Sequence, residues 1–334
     1  RFKGVEITES ESDGLLGAIL LHDIGHGPFS HAMEHSIVEG VSHEFISLQF
    51  MEELNERFNG SLTEAISIFT GKHPKKFLNQ LVSSQLDMDR LDYLKRDSFY
   101  TGVAEGNTNA ERLITMLNVV DGNLVIEEKG IYSVEKFLMA RRFMYWQVYL
   151  HKTGVVAEQL LISILKRARF LIKNGTSLNC SKALLYFLSQ HFDKNNFDRV
   201  TLAKFAKLDD VDILAALKEW QYADDFVLST LCEMILNRKL LHIKLKKERI
   251  NETKFNSKFN KIKKLYKLTD EETSYFVFTG ELKNKAYDRE NQNINILRKN
   301  GKITDVAKLS DHLNLNALSK TVTKYYMCYP KEAV

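Results

Sequence analysis

Proline is nearly absent from this chain: only Pro28, Pro74 and Pro330 occur among 334 residues, and that scarcity is the strongest constraint on the fold. A proline inside a helix removes a hydrogen bond and clashes with the preceding turn. Without that interruption, most long segments here carry apolar residues at three- and four-residue spacing, so a mainly α protein is expected. The length allows about two domains and a sizeable core. No apolar run reaches bilayer-spanning length, and the first residues do not read as a signal peptide. Cys180, Cys232 and Cys328 lie far apart without CxxC spacing, which suggests thiols of a reducing cytoplasm rather than a disulfide framework or a cysteine metal site. The net charge of +4 is compatible with phosphorylated ligands but does not select nucleic acid.

Chemistry concentrates in the stretch from Leu20 to His31. The apolar run Leu15 to Leu21 begins a buried helix and delivers His22-Asp23 at its end. Gly25 and Gly27 on either side of His26, followed by Pro28, force the backbone to turn directly afterwards. Neutral imidazole with carboxylate suits a divalent transition metal, and additional histidines can donate protons or contact phosphate. A lone His-Asp pair is commonly a helix cap. Here, however, His22, His26, His31, His35 and His43 account for five of the ten histidines, which favours a site. Ser30 to Val38 reads as a short helix, and Ser42 caps another that runs from His43-Glu44 to Phe58.

A second informative stretch runs from Ser83 to Asp97. On a helix, Asp89, Tyr93 and Asp97 share a face with Asp92 and Arg96, while Leu86, Leu91 and Leu94 face the core. The plain reading is a solvated helix laced with ion pairs. Against it, Asp87, Asp89 and Asp92 crowd one turn and repel one another unless a cation sits there.

Beyond Asp97, Val119 to Ile126 reads as a hairpin about Asp121-Gly122. A helix expected from Ser133 to about His151 carries Arg141, Tyr145 and Tyr149 four residues apart. That stripe is either an aromatic core helix or the wall of a pocket. Helical segments continue from Val155 to Asn237. The basic run from Arg238 to Arg249, broken by leucines, reads as a solvated amphipathic face, with a nucleotide or nucleic-acid contact as the minority reading. Strand-like segments at Tyr275 to Thr279, Ile294 to Leu297 and Thr321 to Tyr329, with a helix from Leu309 to Leu318, suggest a smaller α+β lobe over residues 251–334 behind a helical region over residues 1–250.

His22-Asp23 followed by Asp89 resembles the HD superfamily of metal-dependent phosphohydrolases. More narrowly, HDIGHGPFSH, Ser42-His43-Glu44 and the run DMDRLDYLKRD resemble the deoxynucleoside triphosphate triphosphohydrolases, over the chain as far as about Lys152. The resemblance implies a helical HD-domain core and hydrolysis of dNTPs to deoxynucleoside and inorganic triphosphate. It makes His22, Asp23 and Asp89 ligands of a divalent metal, which Mn, Mg, Fe, Zn or Ni would each satisfy. His26 and His31 would contact phosphate or assist protonation, with His43 and Glu44 as the acid/base element. Arg90 and Arg141 would meet phosphate, and Tyr93, Asp97, Tyr145 and Tyr149 would line the sugar side. A homo-oligomer, a tetramer in relatives, and a nucleotide activator are also implied; nucleic acid and membrane are not. The family's first histidine has no counterpart in residues 1–21, and the expectation is that it precedes Arg1 in the native chain. Two other readings stay open: an HD phosphohydrolase of a monophosphate or signalling nucleotide, and a catalytically silent nucleotide or single-stranded nucleic-acid binding protein.

Overall fold

The computed structural model describes residues 3–30, 34–38, 40–289, 292–310 and 315–333. Helices predominate, and a small sheet-containing region lies toward the C-terminus, so the mainly α expectation holds. Among the described residues no helix is long and apolar enough to cross a membrane. Contacts group the chain into two units. One takes Arg1–His22, Phe50–His151 and Lys283–Val322, and the other takes Asp23–Gln49, Lys152–Leu282 and Thr323–Val334. The chain beyond residue 250 contributes to both.

In the first unit, the helix Glu9–Leu21 starts at Thr8, whose hydroxyl accepts from Glu11 N–H at 3.1 Å while the Glu11 carboxylate accepts from Thr8 N–H at 2.8 Å. Gly14 lets this helix approach the helix Thr63–Phe69, because a Cβ there would lie 2.5 Å from Glu64 Cγ. Ala18, Met51, Ile68, Phe77 and Leu78 form the core beneath. A further core in the same unit gathers Leu91, Leu94, Leu113, Phe137, Leu138 and Ile296. A four-stranded sheet belongs to it, in the order Leu117–Val120, Asn123–Glu127, Asn295–Leu297, Ile303–Asp305. Its first two strands form the expected hairpin, pairing Val120 with Asn123. Asp121 (φ 50°) and Gly122 (φ 72°) supply the two left-handed residues that a tight hairpin turn needs.

In the second unit, the helix Lys152–Lys173 buries Val156, Leu160, Ile164 and Ala168 along one face. A three-stranded sheet has the order His242–Lys246, Val322–Tyr329, Phe278–Asn284. The basic run thus contains a strand, registered from His242↔Tyr329 to Lys246↔Tyr325.

Two expected boundaries are corrected. The strand expected from Tyr275 begins only at Phe278, because Phe276 and Val277 are fully buried in a turn that returns to the Thr273 carbonyl at 3.0 and 2.9 Å. Instead of one helix from Leu309 to Leu318 there are Val306–Leu309, ended by extended backbone at Ser310, and Leu315–Leu318. Around the histidines, the described helix is Glu34–Ile37, and residues 31–33 of the helix expected from Ser30 to Val38 lie outside the described residues. Phe29 and Ser30 have φ of 56° and 47°.

Candidate metal and nucleotide site

The helix Met88–Thr101 carries Asp89, and its start explains why three acids tolerate one turn. Asp87 caps it: Oδ1 accepts from Arg90 N–H at 2.7 Å, and Oδ2 accepts from Ser84 N–H at 3.0 Å and Arg90 Nε at 3.1 Å. Burial pushes the Asp87 carboxyl up, against the opposing pull of Arg90. Asp92 pairs with Arg96 one turn on. Asp89 is left facing His22, with His22 Nε2 3.8 Å from Asp89 Oδ2. The neighbouring His22 imidazole holds the Asp89 carboxyl below the usual carboxylate range, outweighing burial. The tautomer of His22 follows from its other nitrogen, since Nδ1 lies 2.7 Å from the Ile19 carbonyl, which can only accept. Nδ1 therefore carries a proton, and in the neutral ring Nε2 is the nitrogen available to an ion. That is the arrangement expected of a metal-ligating imidazole, and 3.8 Å is a span that two ligands at about 2.1 Å from one ion can bridge.

The second unit gathers Asp23, His26 and His43. Their ligand atoms all lie within 4.8 Å of one another, so this group could hold a metal ion. Asp23 Oδ1 is 3.8 Å from His26 Nδ1 and 3.9 Å from His43 Nε2, and the two imidazole rings are 4.0 Å apart. Backbone packing sets this geometry. Gly25 N–H donates to Ser47 Oγ at 2.9 Å, and a Cβ on Gly25 would fall 2.2 Å from the His43 carbonyl oxygen. Farther along the turn, Phe29 N–H donates to Asp210 Oδ1 at 2.7 Å, holding the left-handed pair Phe29-Ser30. Glu44 is exposed in the first turn of the helix His43–Arg57. His31 lies outside the described residues.

The remaining candidates meet within the first unit. Tyr149 OH donates to Asp97 Oδ2 at 2.7 Å. The Tyr149 ring sits edge-on to Tyr93 at 6.0 Å and to Tyr145 at 5.2 Å, and the Arg141 guanidinium lies 5.8 Å from the Tyr145 ring centre. Burial, reinforced by Tyr145, pushes the Tyr93 phenol up to about 12 despite its hydrogen bond with Arg90. Burial and the Asp97 carboxylate push Tyr149 up as well. Both phenols are therefore neutral donors at physiological pH. Arg90 Nε also donates to the Ser84 carbonyl at 2.7 Å, and Arg141 Nη1 to the Ala286 carbonyl at 3.3 Å. The single helix expected from Ser133 to His151 is instead α over Ile131–Met144 and widens into a π turn over Tyr145–Tyr149. The wider turn changes the stacking of residues four apart, and such turns recur at functional sites.

Sequence reasoning missed the supporting residues Ser47, Asp210, Gln85 and Ala286. Ser47 stands one helical turn after His43, a spacing that could have drawn attention. The others carry no local signal.

Residues 4–97 match the family model of the HD domain, and residues 108–178 match that of the HD associated region. Among solved structures, a phosphohydrolase of Bacteroides thetaiotaomicron VPI-5482 is 51% identical with a TM-score of 0.92, the match covering 98% of this chain and 81% of that one. The chain belongs to the HD-domain phosphohydrolase family. Protein YwfO of Bacillus subtilis (strain 168) is 31% identical over 100% of the chain and 77% of its own length. A Dictyostelium discoideum protein named deoxynucleoside triphosphate triphosphohydrolase SAMHD1 homolog is 31% identical over 54% of this chain and 38% of its own. In this HD phosphohydrolase the HD-domain match takes in His22, Asp23, His26, His43, Asp89 and Asp97, and the associated region takes in Arg141, Tyr145 and Tyr149. HD domains bind divalent metals, and the nitrogen and oxygen donors at both groups suit such an ion.

Proposed function

We propose that this HD phosphohydrolase hydrolyses dNTPs to deoxynucleoside and inorganic triphosphate, with His22, Asp23 and Asp89 holding the metal. The observation that carries the reading is the Asp97–Tyr149 hydrogen bond, flanked by Arg90 and Arg141. A carboxylate with one oxygen engaged by a phenol still has a second to accept from a sugar hydroxyl. The tyrosine ring beside it takes up the space that a 2′-hydroxyl would need. Two guanidinium groups in the same unit suit a polyphosphate, since each presents a planar fork of donors. The name of the Dictyostelium relative supports the same substrate class.

A divalent ion in this site supplies Lewis acidity toward phosphate. The chain does the rest. His26 and His31, the latter outside the described residues, contact phosphate or assist protonation, and His43 with Glu44 moves the proton that the departing triphosphate oxygen requires. Tyr93 and Tyr145 close the sugar side. Assembly into a homo-oligomer, a tetramer by resemblance, and activation by a bound dNTP belong to the same reading.

Product analysis tests it directly. The full-length protein is incubated with Mn²⁺ and all four dNTPs, and the products are separated by ion-exchange chromatography. Inorganic triphosphate together with free deoxynucleoside is expected, and omission of single nucleotides then reveals any activator. Release of orthophosphate or pyrophosphate, or turnover of monophosphates alone, would refute the dNTP reading in favour of another phosphorylated substrate.

A further inference from the structure

Just before the cap of the Asp89 helix, the buried side chain of Gln85 is engaged by a distant stretch of backbone. Its Oε1 accepts from Asp288 N–H at 2.6 Å, and its Nε2 donates to the Asp288 carbonyl at 2.8 Å and to the Gln292 carbonyl. Only an amide can accept and donate in this way without carrying charge. The same stretch presents the Ala286 carbonyl to Arg141 Nη1. Between these contacts Tyr287 is fully buried; its hydroxyl donates to Asp305 and accepts from Ile294 N–H at 3.0 Å. Asp305 is itself fixed by Ala307 N–H at 2.9 Å.

Residues 285–289 are thus tied on one side to Asp305 and Ile294. On the other side they touch both helices that carry the arginines. The Asp89 helix is reached through Gln85, whose neighbour Ser84 offers its carbonyl to Arg90 Nε at 2.7 Å. The Arg141 helix is reached through Ala286. Arg141 Nε is buried with no hydrogen-bond partner among the described residues, so the anchored guanidinium retains an unused donor.

We infer that residues 285–289 form a brace that presets Arg90 and Arg141 as a pair for one polyphosphate, with Gln85 as the positioning residue. The inference rests on the proposed role of the two arginines in phosphate binding. A guanidinium on a flexible stem loses rotamer freedom when it grips a ligand, and fixing it beforehand strengthens binding without a new contact. Gln85 touches no ligand; it ties the backbone beside Ser84, which holds Arg90, to the stretch whose Ala286 carbonyl holds Arg141.

The experiment uses the full chain with Gln85→Glu, which keeps the length and the acceptor, loses both donated hydrogen bonds and adds a negative charge. A second variant, Gln85→Met, loses the bonds without the charge and is expected to behave alike. Calorimetry measures inorganic tripolyphosphate and, separately, a free deoxynucleoside, alongside a melting curve. Tripolyphosphate binding is expected to weaken about tenfold, with deoxynucleoside binding held within about twofold. Equal weakening of both ligands, or unchanged tripolyphosphate binding in a folded variant, would overturn the brace. If Gln85→Glu does not fold, Tyr287→Phe releases the same stretch from its other side and is expected to give the same selective loss. Wild-type protein that binds no tripolyphosphate refutes the underlying role of the arginines. Wild-type and variant proteins that bind it equally refute the brace alone.

Discussion

Gly25→Ala tests whether backbone contact, rather than side-chain chemistry, holds the Asp23, His26 and His43 group together. The added methyl would stand 2.2 Å from the His43 carbonyl oxygen, 2.3 Å from Ser47 N and 2.8 Å from Ser47 Oγ. Two of these three atoms are backbone of one helix, so no side-chain rotation relieves the clash; the turn must move away by about 1 Å to restore an ordinary contact. Overpacking of this kind costs about 1 to 3 kcal/mol. The same displacement breaks the Gly25 N–H to Ser47 Oγ hydrogen bond in a fully buried spot, adding about 1 to 2 kcal/mol. Because one movement does both, the terms overlap, and a total of roughly 3 kcal/mol is expected. Ser47→Ala loses only the hydrogen bond and should cost about 1 to 2 kcal/mol. Urea unfolding at pH 7, followed by circular dichroism, measures both variants. Hydrolysis by Gly25→Ala should fall further than its stability does, because the imidazole rings now 4.0 Å apart lose their alignment. A loss below about 1 kcal/mol for Gly25→Ala, or one equal to that of Ser47→Ala, would refute the packing argument.

Two further outcomes are expected. Asp89→Asn replaces a charged oxygen donor with a neutral amide of the same shape, so metal content by mass spectrometry and hydrolysis should both collapse while far-ultraviolet dichroism stays unchanged; retained metal would remove Asp89 from the ligand set. Asp225, in the second unit, accepts from Arg167 Nε at 3.0 Å and caps the helix Phe226–Leu236 through Leu228 N–H at 2.8 Å. Burial alone would raise the Asp225 carboxyl, but these hydrogen bonds and the Arg167 charge bring it below the usual value. A depressed folded-state pKa contributes stability that is complete above the unfolded carboxylate pKa of about 4 and is lost as pH falls through the lower folded value. Urea midpoints should therefore drop on acidification below about pH 4, and Asp225→Asn should cost about 3 kcal/mol at pH 7 while making that drop shallower. An acid limb of unchanged steepness in the variant would assign the acid sensitivity to other carboxylates.

What the sequence could and could not reveal follows from the range of each interaction. The hairpin at Asp121-Gly122 was legible because its turn needs two left-handed residues at adjacent positions, a purely local demand. The run from Arg238 to Arg249 was not legible as a strand, since Ile243 and Leu245 acquire that role only by pairing with Cys328 and Tyr326 far along the chain. The crowding of Asp87, Asp89 and Asp92 was visible, but its resolution was not. Asp87 is occupied by backbone N–H groups and Arg90, and Asp92 by Arg96, which leaves Asp89 for His22. Types of side chain announce themselves in a sequence, whereas the carbonyls and N–H groups that hold them do not, because every residue but proline carries both. Ser47 against Gly25, and Gln85 against Asp288, are contacts of that second kind. A substitution at either would pass as conservative on the sequence alone. In the folded chain it alters the spacing on which the candidate site depends.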